Sequence, residues 1–139
     1  MRSKLANFKS TSSCRYLIQI HLIFVVKYRK KLLKNLIKDD MLQKIFDISK
    51  NNDFEIKIMN SEVDHLHMLI SMKPTISVSQ IVRILKQEST IYIWSKYRKE
   101  LKKNFWKENT FWSDGYFVAS IGNANEQTIQ KYIENQGNE

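Results

Sequence analysis

Two histidines one residue apart, and a tyrosine four residues ahead of a glutamine, are the features of this chain whose spacing could do chemistry. His65 and His67 lie in Asp64-His65-Leu66-His67-Met68-Leu69-Ile70. There Leu66, Met68, Ile70 and Met72 alternate as an apolar set. Alternate residues of an extended chain face opposite sides, so the apolar set belongs to a core and both imidazoles project from the other face. Strand geometry puts them roughly 7 Å apart, a spacing at which two imidazoles can hold one divalent ion. Two outward polar residues on a half-exposed strand would give the same pattern. Tyr132 and Gln136 share one face of a helix. A phenol becomes a nucleophile once its proton is removed, and a glutamine oxygen is a neutral third ligand that leaves positions open for phosphate oxygens and water. An aromatic on an amphipathic helix is equally an ordinary core residue, so neither pair decides the chemistry alone.

These residues need elements to position them. Residues 14–27 alternate, with Tyr16, Ile18, Ile20, Leu22, Phe24 and Val26 on one face, which reads as a first strand. His21 falls on its less apolar face and is read as structural or DNA-proximal. Residues 32–51 show helical spacing (Leu33, Ile37, Met41, Ile45, Ile48) that ends at Asn51-Asn52. Residues 54–59 form a short second strand, Asn60-Ser61 a tight turn, and 63–72 the histidine-bearing third strand, ended by Pro74. Ser77 or Ser79 caps the next helix, with Ile81, Ile84, Leu85, Ile91 and Trp94 as its apolar positions. A basic, aromatic connection leads to a fourth strand at 115–121. Asn123 or Asn125 then caps a last helix, placed at 123–137, which carries Tyr132 and packs through Ile129 and Ile133. The order β-α-β-β-α-β-α predicts an α+β fold, a ferredoxin-like antiparallel sheet with helices on one face plus a C-terminal helix.

The chain has 139 residues, which fits one domain of 1–139 with a flexible basic arm at 1–13. Its net charge is +9, which favours a polyanionic partner. The excess is clustered. One block holds Lys27, Arg29, Lys30, Lys31, Lys34 and Lys38; another holds Lys96, Arg98, Lys99, Lys102, Lys103 and Lys107, with Tyr28, Tyr97 and Trp106 among them. Aromatics within basic runs point to nucleic acid ahead of a merely solvated face. Cys14 is the single cysteine, which excludes an intrachain disulfide. The first 13 residues lack the apolar stretch of a signal peptide, and the run 22–26 is far below a membrane span. A cytoplasmic protein without membrane association is expected. Nothing resembles a phosphate-cradling glycine-rich loop, so no nucleotide cofactor is expected.

Five segments in order, HLIFVVKYRKK at 21–31, EVDHLHMLI at 62–70, SVSQIVRILKQES at 77–89, FWSDGYFVASIG at 111–122 and YIENQ at 132–136, resemble the single-tyrosine HUH transposases of the insertion-sequence 200/605 group. The resemblance covers nearly the whole chain. It implies that His65 and His67 ligate Mg²⁺ or Mn²⁺ with Gln136 as third ligand, and that Tyr132 is the nucleophile. It further implies a homodimer whose tyrosine helix can complete the partner's site, acting on single-stranded DNA with hairpins near the element's ends. DNA contacts are expected from Lys27, Arg29, Lys30, Lys31, Arg83 and Lys86. Lys86-Gln87-Glu88 departs from the Lys-Gly pair frequent in relatives. A non-catalytic RNA-binding module of the same fold, and a domesticated repeat-associated tyrosine nickase, are the alternatives.

Overall fold

The computed structural model describes residues 8–11, 13–120 and 126–136. Alternation in the first strand is realised as β3 (Ile18–Val25), preceded by a small antiparallel pair, β1 (Lys9–Ser10) and β2 (Arg15–Tyr16). Part of the segment read as an arm is therefore paired; residues 1–7 and Ser12 lie outside the described residues. A 3-10 turn at Lys27–Arg29 leads to α1 (Asn35–Lys50), followed by β4 (Phe54–Ser61) and β5 (His65–Met72). Next come α2 (Val78–Asn104), β6 (Phe117–Ser120) and α3 (Glu126–Asn135). The sheet order β4-β5-β3-β6 is antiparallel throughout, which is the ferredoxin-like arrangement expected from the order of elements.

Even-numbered residues of β3 and β5 point to one side. Leu22, Phe24, Leu66, Met68 and Ile70 are all 0 % exposed and pack with Met41 and Ile45 of α1 and Ile81 and Leu85 of α2. Each such side chain contributes about 1.5–3 kcal/mol by leaving water, so the layer of α1 and α2 fixes which face the odd-numbered residues must occupy. Lys96 and Tyr97 of α2 both donate to Asp40 of α1 and tie the two helices at their outer surface.

Three expectations change. The tight turn lies at residues 62–64, because β4 continues to Ser61 and Glu62 N donates to the His65 carbonyl. The basic, aromatic connection is helical as far as Asn104, since Leu101 and Phe105 bury and hold that turn against the core. Ile91 is 64 % exposed: the buried stripe of α2 runs Ile81, Leu85, Ser89, Ile93 at four-residue spacing, and Ile91 falls on the opposite side. Of the two cap candidates, Ser77 is the N-cap, closing a capping box with Gln80. The proposed caps Asn123 and Asn125, and the side chain of Ile129, lie outside the described residues.

Candidate active site

On the sheet face opposite α1 and α2, antiparallel register puts the odd-numbered residues side by side. His65 lies across from Val25, His67 across from Ile23, and Ile23 in turn across from Phe117. Helix α3 lies on this face. Ile133 is 3 % exposed and clusters with Ile23 and Val25, and the Tyr132 ring packs on Phe117 at 5.7 Å between centroids. The Tyr132 hydroxyl oxygen is shielded from solvent. Tyr132 thus stands on the β3–β6 side of the same face on which His65 and His67 project from β5. Gln136, one turn further along, is seated against Gly115: a Cβ at Gly115 would come within 2.5 Å of the Gln136 Nε2. The absent side chain of Gly115 serves space here, because its backbone is not in the left-handed region.

Both histidines carry a neighbour that sequence spacing did not assign. His65 Nδ1 is 2.9 Å from Asp64 Oδ1, while Asp64 Oδ2 is 3.6 Å from Arg29 Nε. A carboxylate accepts, so the hydrogen of His65 sits on Nδ1 and Nε2 is left with its lone pair for a ligand. His67 Nε2 lies 2.9 Å from His21 Nδ1, and one of the two nitrogens carries the hydrogen between them. The pKa of His67 is lowered from 6.5, first by burial and then by the charges of His21 and His65. That keeps the imidazole neutral near pH 7, the form that ligates a metal.

Among the described residues no group of three or more His, Cys, Asp or Glu could hold a metal ion. The third donor expected beside His65 and His67, the amide oxygen of Gln136, is of another kind. Two imidazoles and an amide oxygen form a mixed donor set compatible with Mn²⁺ or Mg²⁺.

The expected DNA contacts divide. Lys27 is only 8 % exposed and pairs with Asp114 at 3.2 Å. The ammonium of Lys86 donates to the carbonyls of Ser113, Asp114 and Gly115, at 2.7, 3.2 and 2.9 Å. It props the segment on which Gln136 rests. Arg83 is exposed and, with Lys86, Gln87 and Asp114, lines an open groove of about 500 Å³. Lys31 is exposed, Lys30 and Arg29 half-buried. Asp64, Gly115 and His21 were not marked as site residues by spacing. The signal for His21 was its odd-numbered place on β3, which shares a face with His67.

Comparison with known proteins gives a consistent picture. The family model for IS200-like transposases matches residues 14–136. The chain is 32 % identical over 121 residues to the ISDra2 transposase TnpA of Deinococcus radiodurans, covering 87 % of this chain and 85 % of that protein. It is 31 % identical over 133 residues to the transposase for insertion sequence element IS200 of Salmonella typhimurium, covering 92 % and 82 %. A crystal structure described as a candidate transposase from Deinococcus radiodurans R1 superposes with a TM-score of 0.84 at 28 % identity, covering 91 % of this chain and 96 % of that one. A REP-associated tyrosine transposase bound to a REP hairpin shares the fold at a TM-score of 0.56 and 14 % identity, covering 90 % and 69 %.

Proposed function

Because the chain belongs to the IS200-like transposase family and is a transposase, we propose that it cuts and rejoins single-stranded DNA through Tyr132, at sites set by hairpins near the ends of its element. The observation that carries this reading is the shared face: Tyr132 on α3 and the imidazoles of His65 and His67 on β5 occupy one side of the sheet, away from the core helices.

The phenol oxygen of Tyr132 attacks the scissile phosphorus and the bond to the 3′ oxygen breaks. The products are a 5′-phosphotyrosine and a free 3′-hydroxyl. The phenol proton leaves to solvent or a neighbouring base, and the departing 3′ oxygen takes one up. Attack by a second 3′-hydroxyl reverses the step on another strand and releases the tyrosine, so bond energy is conserved without a nucleotide cofactor. His65 through Nε2, His67, and Gln136 would hold Mg²⁺ or Mn²⁺, which when bound supplies Lewis-acid stabilisation of charge on the phosphate oxygens. Asp64 fixes the tautomer of His65, and Lys86 and Gly115 seat Gln136. The exposed cations, Lys31 and Arg83 among them, meet the DNA backbone and set affinity without sequence information. A homodimer in which α3 can complete the partner's site remains part of this reading.

The RNA-module alternative needs an open sheet face on which bases stack. Here α3 covers Ile23, Val25 and Phe117 on that face. Incubation with hairpin-bearing single strands and Mn²⁺, followed by denaturing electrophoresis, tests the proposal. Wild type should give a covalent protein–DNA band and Tyr132→Phe none; equal bands from both would refute the assignment.

A further inference from the structure

The cavity between the turn after β3 and the end of α2 is unused by this chemistry. It holds about 260 Å³ and is lined by Tyr28, Lys30, Phe105, Trp106 and Lys107, with Glu108 also contributing. Its aromatic lining is open to solvent to an unusual degree: Trp106 is 77 % exposed and Tyr28 is 50 % exposed. Large aromatics normally contribute their area to a core, and Phe105 and Phe111 in the same segment do, at 4 % and 0 % exposed. Trp106 and Tyr28 have been left out of it.

The turn that carries Tyr28 is held in a backbone conformation that bulky residues rarely adopt. Tyr28 has φ 58° and Arg29 φ 52°, in the left-handed region where a Cβ is crowded. Such a conformation persists only where its surroundings enforce it. Here Val26 bridges Trp112, Lys27 N donates to the Phe111 carbonyl, and Val26 N donates to the Asp64 carbonyl. The turn that forms the Tyr28 wall is thereby fastened to the end of the sheet that bears His65 and to the segment that follows the Trp106 wall. Arg29, next to Tyr28, reaches Asp64, which holds His65.

We propose that this cavity is a base-binding subsite, in which one unpaired nucleobase of single-stranded DNA stacks on Trp106 and Tyr28 while Lys30 and Lys107 meet its flanking phosphates. A planar aromatic face next to cations is the combination that holds single strands with little regard to sequence. Lys107 already lies 5.3 Å from the centroid of the Trp106 ring, and Lys27 5.7 Å from that of Tyr28. The lysines outnumber Glu108, so the lining favours a polyanion over a neutral or cationic ligand. The inference rests on the reading of this transposase as a single-strand enzyme and places a second point of grip beside its histidines.

The chain supplies its own reporter. Of its three tryptophans, Trp94 is 2 % and Trp112 4 % exposed, and Trp112 borders the Arg83 groove, so the part of the DNA-induced quenching of intrinsic fluorescence that is absent from Trp106→Phe reports Trp106. Titration of the full chain with an unstructured oligothymidylate should quench that emission. Trp106→Ala should weaken affinity about tenfold, and Trp106→Phe should restore most of it. A series of hairpin-bearing strands, each with one abasic position, should show one position where base removal costs wild type about tenfold and costs Trp106→Ala nothing. Absence of quenching, or equal affinities of wild type and Trp106→Ala on every strand, would overturn the subsite. Because Trp106 is exposed, its substitution should leave the circular dichroism spectrum unchanged, which checks that the fold is intact. The covalent-band assay with Tyr132→Phe is read separately: loss of that result with quenching retained would sink the cleavage mechanism and spare the subsite.

Discussion

Replacing Asp64 by asparagine separates the metal-orienting role of this carboxylate from its contribution to folding. The side chains of Asp64 and His65 are 15 % and 18 % exposed, and their contact is 2.9 Å. Asparagine keeps the shape and an acceptor oxygen but removes the charge, and its amide can turn to present a donor. His65 then no longer has a fixed tautomer, and Nε2 is no longer always the ligand nitrogen. Loss of such an outer partner typically weakens metal affinity about 10- to 100-fold. The folding cost is smaller. A hydrogen bond to a charged group is worth about 1.5–3 kcal/mol, but asparagine retains a neutral one, and Arg29 Nε at 3.6 Å lies beyond hydrogen-bond reach of Asp64. About 1 kcal/mol of stability should be lost. Calorimetric titration with Mn²⁺ measures the first quantity and urea unfolding in chelator the second. Asp64→Asn should bind Mn²⁺ at least tenfold more weakly while its metal-free unfolding midpoint moves little. Unchanged Mn²⁺ affinity would refute the argument from Asp64 to His65. A metal-free destabilisation large enough to account for the whole loss would refute it equally.

Gly115→Ala puts a Cβ within 2.5 Å of the Gln136 amide; because the amide is the movable end of its side chain, Gln136 should shift while the fold stands. Mn²⁺ affinity should fall several-fold and DNA-joining activity should recover at high Mn²⁺, with activity against metal concentration as the readout. Lys86→Met removes an ammonium shared by three carbonyls and should cost about 2 kcal/mol in urea unfolding, whereas Arg83→Met, exposed on the same helix, should cost under about 0.5 kcal/mol. The lowered pKa of His67, due first to burial, has a definite sign. Below about pH 6.5 the unfolded chain binds a proton that the folded chain resists, so metal-free stability should fall as pH drops from about 6.5 toward the folded pKa and then level off. His67→Gln should flatten that part of the profile. Wild-type DNA affinity should drop steeply with salt, with a log–log slope of several units from counterion release; a flat response would count against DNA contact by the exposed cations.

Much of this protein is legible in its amino-acid sequence alone. The period of two in β3 and β5 fixed which side of each strand faces the core, because the apolar alternate residues have only one place to go. His65 and His67 were therefore bound to share a face, and Tyr132 and Gln136 to share another. Local signals also set Ser77 as one of two candidate caps and the order of elements that makes a ferredoxin-like sheet. Pairwise proximity across the sheet was beyond reach, because it depends on register and on how the C-terminal helix docks. His21 meets His67 only because β3 pairs with β5 at a register that sets His21 opposite Leu69. Asp64 was visible as a neighbour in sequence, but its bond to His65 and its reach to Arg29 required the turn at residues 27–29 to fold over it. Lys27 stood in a basic run and both it and Lys86 were expected to touch DNA; tertiary packing sank one against Asp114 and turned the other onto the carbonyls beneath Gln136. Composition sets how many cations a chain carries, but only the closed fold decides which of them water, and hence DNA, can reach.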